Sequence, residues 1–245
     1  MSTVLPSARL GIILSSGNWT LETYFRAYAP LDLGIHVTRM RKGSGGERSP
    51  TDIEADALQC ARLLADAAVD LIDLQGTGIM MERGPDGEAA MVAAIEAATG
   101  TPAFTATGAV VEALRALDIR RLVLVGPYGE AAIARESAFL EQAGFSVVDA
   151  IGLDRGKRAN EVPAADWVAA ATARDRTDAD GIFLSGSNTH MIEAIATVEQ
   201  RLGKPAVTSL QAALWAAVRR LAPKLSAVPA PPALGRLFSG DLQPE

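Results

Sequence analysis

The residues best placed for chemistry lie in two small polar turns, which recur at matching points of two similar segments. Each turn follows an apolar run that is typical of a buried strand, 71–74 in the first segment and 181–184 in the second. The turn residues are Gly76, Thr77, Gly78, Gly186, Ser187 and Asn188. Exposed backbone N–H and hydroxyl groups donate hydrogen bonds to anions, so the two turns together predict a carboxylate site.

Two further turns have the same character and also follow apolar runs. The first is 15–18, which contains Ser16 and Asn18, and the second is 126–128, which ends at Tyr128. His190 stands just beyond the Gly186 turn and could exchange a proton near neutral pH, although a histidine on a helix surface is the more ordinary interpretation. If the segments pack about a pseudo-two-fold axis, all four turns meet in one cleft.

The elements that must position these turns alternate between apolar strands and amphipathic helices, which predicts an α/β fold with parallel sheets. The predicted strands are 10–14, 33–40, 71–74, 121–125, 147–151, 181–184 and 205–208. The predicted helices are 20–28, 51–68, 88–98, 108–117, 130–143, 191–202 and 211–221, and 167–173 is predicted to be part of a further helix. Ligands of such folds bind beyond the carboxyl ends of the strands. The predicted lobes are 1–107 with about 222–245, and 108–221.

Composition narrows the classes of protein that this chain can belong to. The 245 residues carry a formal charge of −6, which argues against a nucleic-acid binder. No apolar run approaches the length of a membrane span, and no secretory signal is visible. A single cysteine, Cys60, excludes an internal disulfide and favours a reducing, cytoplasmic location. No metal or cofactor motif is present. The apolar helices are compatible with a homodimer without requiring one.

Several stretches, in this order and spacing, resemble the arylmalonate decarboxylase and maleate cis–trans isomerase group of the aspartate/glutamate racemase superfamily. The matching stretches are 75–78, 97–102, 114–121, 127–128, 180–186 and 198–207. The resemblance implies two flavodoxin-like lobes with parallel sheets related by pseudo-two-fold symmetry and an active-site cleft between them. It also implies catalysis without a cofactor on a small carboxylate or dicarboxylate substrate, held by hydroxyl and backbone N–H groups.

The resemblance assigns roles to particular residues of this chain. Thr77 and Tyr128 match the threonine and tyrosine that hold the substrate carboxylate in the family. Ser187 and Asn188 fall where backbone donors follow the second catalytic position, and Asn18 resembles the asparagine of a Ser-Ser-Asn turn, with one inserted glycine. These residues are the predicted substrate cage.

The chain departs from the family at the two catalytic positions. Family members use one or two cysteines where this chain has Gly76 and Gly186. Cys60 falls inside a predicted helix and is read as a small buried apolar residue. The usual thiolate chemistry therefore has no evident agent in this chain.

Three functions follow from these observations. The first is a carboxy-lyase similar to arylmalonate decarboxylase, because loss of CO2 from a malonate needs a donor cage rather than a base; water, Ser187, Tyr128 or His190 would then supply the proton. The second is a maleate-type isomerase or racemase that works without thiols, with His190 as the proton carrier. The third is a binding protein that kept the carboxylate cage and lost the chemistry.

Overall fold

The computed structural model describes residues 5–41, 49–76, 80–81, 83–153, 158–228 and 230–240, and it contains two four-stranded parallel sheets. The strands of the first sheet are β1 (Ala8–Ser15), β2 (Leu33–Met40), β3 (Leu71–Leu74) and β4 (Ala103–Thr105). Those of the second are β5 (Arg121–Gly126), β6 (Ser146–Gly152), β7 (Gly181–Leu184) and β8 (Ala206–Thr208). The spatial orders are β2-β1-β3-β4 and β6-β5-β7-β8. The identical orders confirm the predicted α/β fold of two similar lobes.

Helices connect the strands in both lobes. Their bounds are α1 (Thr20–Tyr28), α2 (Pro50–Asp66), α3 (Gly84–Thr99), α4 (Ala106–Ala116), α5 (Glu130–Gln142), α6 (Ala164–Arg174), α7 (Ile192–Leu202) and α8 (Ser209–Leu221). Helix α8 begins earlier than the predicted residue 211, because the Thr208 hydroxyl accepts a hydrogen bond from Gln211 N and the Gln211 side chain bonds back to Thr208 N. This reciprocal cap fixes the first turn at Ser209.

The central strands are mostly apolar because helices cover both faces of each sheet, and Asp73 of β3 is a buried exception. All four residues of β3 and all four of β7 are buried. The side chains of Ile12, Ile72 and Phe183 have no exposed surface. Burial of apolar area stabilises the folded protein by roughly 25 cal/mol per Å². Because these strands are buried along their length, they hold the turns that follow them in place.

Local contacts repeat between the lobes. Helices α3 and α7 both end at a glycine in the left-handed conformation, Gly100 with φ 69° and Gly203 with φ 67°. Glycine is favoured there because it has no Cβ to collide with the preceding carbonyl. The hydroxyls of Thr105 and Thr208 then cap α4 and α8. The duplication inferred from the sequence is thus visible in equivalent caps and turns.

The chain after α8 contacts both lobes. Lys224 Nζ lies 2.7 Å from Asp70 Oδ1 in the first lobe. Further on, Gln211 Nε2 of the second lobe donates to Leu234 O over 2.6 Å. The assignment of 222–245 to the first lobe stays a prediction, with part of this segment packed against the second. Among the described residues, no helix combines the length and apolar character needed to cross a bilayer.

Candidate active site

A cavity of about 590 Å³ lies between the lobes, at the carboxyl ends of the strands. Its walls come from the turns after β1 and β3 in the first lobe and after β5 and β7 in the second, together with segments near α5 and β2. The lining residues are Ser15, Gly17, Asn18, Trp19, Met40, Arg41, Gly76, Met81, Pro127, Tyr128, Ala132, Arg135, Glu136, Arg158, Ala159, Asn160, Ser187 and Asn188. The turns singled out from the sequence therefore do meet in one cleft.

Two asparagines fasten the lobes together at the edge of this cavity. Asn18 Nδ2 donates to Ser187 O over 3.0 Å, and Asn188 Nδ2 donates to Gly17 O over 3.2 Å. The Asn188 side-chain oxygen accepts from the Thr20 hydroxyl at 3.1 Å. Both amides are engaged in protein contacts, so their first effect is to hold the two turns in register across the cleft.

Tyr128 and the Gly186 turn bring hydrogen-bond donors to the cavity. Tyr128 is half-buried, and burial raises the pKa of its hydroxyl, so this group stays a donor throughout the neutral range. Within the described residues, no acceptor is bonded to the backbone N–H of Ser187 or Asn188. The N–H of Gly186 is already used, since it donates to Ser209 Oγ over 3.0 Å.

Gly76 and Gly186 share an unusual backbone conformation. Their φ angles are +123° and +121°, in a region that side chains with a Cβ rarely adopt. A Cβ built on Gly186 would lie 3.1 Å from Thr189 Cγ2 and 3.3 Å from Tyr128 Oη. Conformation and space together favour glycine at Gly186, because a side chain there would press against Tyr128 Oη and Thr189.

Other predicted site residues lie elsewhere. Ser16 and His190 do not appear on the cavity wall. His190 Nδ1 lies 3.1 Å from Tyr24 Oη, and its ring meets that of Trp19 edge to face, with centroids 5.8 Å apart. Thr77 and Gly78 lie outside the described residues, so their roles stay predictions.

Sequence reasoning missed the cavity's only described carboxyl group, Glu136. Its side chain is 2% exposed although it belongs to α5, an otherwise ordinary amphipathic helix. The signal was present in the spacing, because Glu136 stands three residues after Ile133 and three before Phe139, on the buried face. Burial raises the pKa of Glu136 from 4.5 to about 7.

The rest of the wall divides into a cationic part and an apolar part. The cationic side chains are Arg41, Arg135 and Arg158. The apolar part is formed by Met40, Met81, Pro127 and Ala132. Within the described residues, no group of three or more His, Cys, Asp or Glu side chains could hold a metal ion. The arrangement suits an anionic ligand that also carries an apolar portion.

The comparison with known proteins agrees with this geometry. The family model described as arylmalonate decarboxylase matches residues 45–238. The chain belongs to the arylmalonate decarboxylase family. It is 34% identical to arylmalonate decarboxylase from Bordetella bronchiseptica over 183 residues, which are 73% of this chain and 75% of that protein.

Solved structures of relatives in this family have the same overall shape. A glycine-to-cysteine and cysteine-to-serine double variant of arylmalonate decarboxylase, in a liganded form, superposes with a TM-score of 0.84 at 29% identity, covering 94% of this chain and 98% of that chain. A cysteine-to-serine variant of Nocardia farcinica maleate cis–trans isomerase, with a covalently bound succinylcysteine intermediate, gives 0.86 at 26% identity and covers 96% and 99%. The relatives are enzymes of two reaction types.

The chain contains a single cysteine. That residue, Cys60, lies in α2 and packs in the core of the first lobe, and it is not among the residues that line the cavity. Burial raises the pKa of the Cys60 thiol above its usual value, which disfavours the reactive thiolate. Cys60 therefore has the environment of a structural residue, and the cavity must work with other groups.

Proposed function

We propose that this protein is a cofactor-independent carboxy-lyase that decarboxylates a small malonate-type dicarboxylate. The observation that carries the proposal is the composition of the inter-lobe cavity, which combines a donor turn, an apolar wall and no thiol. A reaction that needs charge stabilisation but no nucleophile fits these groups best.

The cavity can divide the work between two parts of its wall. One substrate carboxylate binds to the Tyr128 hydroxyl and to the N–H groups of Ser187 and Asn188. The other carboxylate lies against the apolar wall, where the loss of its hydration favours departure as neutral CO2. As the C–C bond breaks, negative charge moves onto the carboxylate that stays bound. The donors are already oriented towards that charge, so they stabilise the transition state more than the ground state.

Cysteine chemistry supplies the argument against isomerisation. The Nocardia farcinica isomerase carries a succinylcysteine intermediate, which requires a thiol that reaches the substrate. Here Cys60 does not line the cavity, and both turn positions are glycine. A thiol-free isomerase would need His190 as its proton carrier, and that imidazole is bound to the Tyr24 hydroxyl instead.

The proposal is tested by proton NMR in D2O. The purified protein is incubated with phenylmalonate, methylmalonate, maleate, aspartate, glutamate and hydantoins. We expect loss of CO2 from a malonate, with one deuteron at the α-carbon of the product. Conversion of maleate to fumarate would replace the proposal with isomerisation. No turnover, together with thermal stabilisation by one of the acids, would replace it with a binding function; a ligand a hundredfold above its Kd stabilises by about 2.7 kcal/mol.

A further inference from the structure

The Glu136 carboxyl is buried on the cavity wall without a hydrogen-bond partner. Neither of its oxygens bonds to any group within the part of the chain that the structure describes. Buried polar groups are almost always paired, and leaving one unpaired costs roughly 1–3 kcal/mol. An unpaired carboxyl that lines a ligand cavity is therefore placed to meet a ligand rather than to stabilise the fold.

The surroundings of Glu136 place it beside the donor cage. A Cβ built on Gly126 would lie 3.7 Å from Glu136 Oε2 and 3.4 Å from Tyr128 Cδ2, so the two side chains flank the same point at the end of β5. The Ser185 hydroxyl is near enough to oppose the rise in the Glu136 pKa, although no hydrogen bond joins the two groups. Ser185 leads directly into the Gly186 turn, so the carboxyl also borders that turn.

We propose that Glu136 is the acid that protonates the substrate α-carbon, in the role that a thiol would otherwise fill. The inference rests on the proposed decarboxylation, which leaves a carbanion that must be protonated within the cavity. Glu136 lines that cavity from the second lobe, close to the tyrosine of the cage. Of the other side chains considered as proton sources, His190 does not line the cavity, and Tyr128 and Ser187 belong to the turns that hold the retained carboxylate.

The proton transfer balances without a further reactant. Breaking the C–C bond releases CO2 and leaves its electron pair on the α-carbon, delocalised into the bound carboxylate as an enediolate. The Glu136 O–H bond then breaks, a C–H bond forms at the α-carbon, and the enediolate returns to a carboxylate. Glu136 is left ionised, and water entering the open cavity protonates it again.

The environment of Glu136 keeps it able to donate near neutral pH. A general acid works best when its pKa lies close to the working pH, and burial raises that of Glu136 to about 7. The other charged or titratable groups on the wall are Tyr128, Arg41, Arg135 and Arg158. Tyr128 stays neutral, and Arg135 favours the ionised carboxylate that forms after the transfer.

The test compares Glu136→Gln with Glu141→Gln, an exposed position on the same helix. Glutamine keeps the shape of the side chain and removes its acidic proton. We expect Glu136→Gln to lower kcat roughly 100- to 10,000-fold and to abolish the fall of kcat above about pH 7, as for loss of a general acid. Glu141→Gln should keep the wild-type rate, and Glu136→Asp should recover part of it. An unchanged rate and pH profile in Glu136→Gln would overturn the proposal.

Deuterium exchange at the α-carbon of phenylacetate separates this proposal from the decarboxylase proposal, because it measures the same proton transfer without loss of CO2. Exchange that depends on Glu136, without loss of CO2 from any malonate, would support the role of Glu136 as the acid and would overturn only the proposal that the protein is a decarboxylase. Exchange or CO2 loss that persists in Glu136→Gln would overturn only the role of Glu136 as the acid. Neither reaction in the wild-type protein would overturn both.

Discussion

Tyr24 in the first lobe and Glu136 in the second follow equivalent strand positions by the same number of residues, yet their surroundings differ. Ile13 pairs with Leu74 in the first sheet, and Val125 pairs with Leu184 in the second, so Ile13 and Val125 correspond. Tyr24 follows Ile13 by the same number of residues as Glu136 follows Val125. Tyr24 donates to Glu193 and contacts His190, both in the other lobe. Glu136 has no such partner.

The difference shows how a duplicated fold can divide its tasks. A buried polar group that is paired across the lobe interface stabilises the relative placement of the lobes. The same position, left unpaired beside a cavity, costs stability and is available to a ligand. In the first lobe, Tyr24 therefore joins the two lobes through Glu193 and His190, a contact called the clasp below. In the second lobe, Glu136 lies on the cavity wall and is available for reaction.

Removing a cage donor of the second lobe should have a large effect on turnover, and removing its counterpart in the first lobe should have a small one. Tyr128→Phe should lower kcat roughly 100- to 1,000-fold, the usual effect of deleting one oxyanion donor. Ser16 follows Ile13 by the same number of residues as Tyr128 follows Val125, so Ser16→Ala is the matched control. Its kcat should stay within about tenfold of the wild-type value. Steady-state decarboxylation kinetics measure both. Equal losses in the two variants would show that the lobes contribute alike.

A second effect concerns stability against pH. Glu136 has a pKa of about 7 when folded and 4.5 when its carboxyl is exposed, so the folded protein holds a proton that the unfolded chain releases. Stability from this group is therefore greatest below pH 4.5 and is lost as the pH rises to about 7. The loss is about 3 kcal/mol, at 1.36 kcal/mol for each pKa unit.

Urea unfolding of the wild type and Glu136→Gln at about pH 4 and about pH 8 measures this loss. The two proteins should be similar at the lower pH, and the variant should be the more stable one at the higher pH. Asp73, also buried with a pKa raised to about 7, contributes equally to both proteins and cancels. A constant difference between them across this range would mean that the pKa of Glu136 is the same in the folded and unfolded protein.

The turn glycines provide a third comparison, within the cavity itself. Gly186→Ala should cost roughly 1–3 kcal/mol, because alanine resists the φ of +121° and its methyl group meets Thr189 and Tyr128. Gly17→Ala is the control, since a Cβ there meets nothing within 4 Å, and it should change stability by less than about 0.5 kcal/mol. Thermal unfolding distinguishes the two. Equal stability would show that the Gly186 turn adapts freely.

The smallest effect is expected at the clasp. Tyr24→Phe removes the hydroxyl that meets Glu193 and His190, and it should cost about 1 kcal/mol while leaving kcat close to the wild-type value. Relative to the wild type, Glu136→Gln should be more stable at about pH 8 than at about pH 4. Tyr24→Phe should show no such increase in unfolding free energy with pH. A large loss of turnover in Tyr24→Phe would place the clasp within the catalytic machinery.

The sequence was sufficient for the fold because its signals are local. The strand Leu33–Met40 and the helix Thr20–Tyr28 were predicted with their observed ends, since apolar runs, polar turns and helix-ending glycines act over a few residues. The meeting of the four turns followed from the duplication, because the carboxyl ends of parallel strands share one edge.

The chemistry of the wall was harder to predict because it depends on contacts between distant segments. Glu136 looks like any acidic residue of an amphipathic helix until α5 packs against β5 and β6 and buries it. His190 was placed at the cavity because it follows the Gly186 turn, but the side chain of Tyr24, from the other lobe, binds it. Which of two neighbouring polar groups faces a cavity is decided by tertiary packing.

The most direct test of decarboxylation without a thiol is proton NMR of phenylmalonate in D2O with the cysteine-free variant Cys60→Ala. Cys60 lies in the core of the first lobe, so the variant should lose only packing, and its turnover should equal that of the wild-type protein. The account predicts CO2 loss and singly deuterated phenylacetate at that unchanged rate. Turnover by the wild type that disappears in correctly folded Cys60→Ala would contradict it.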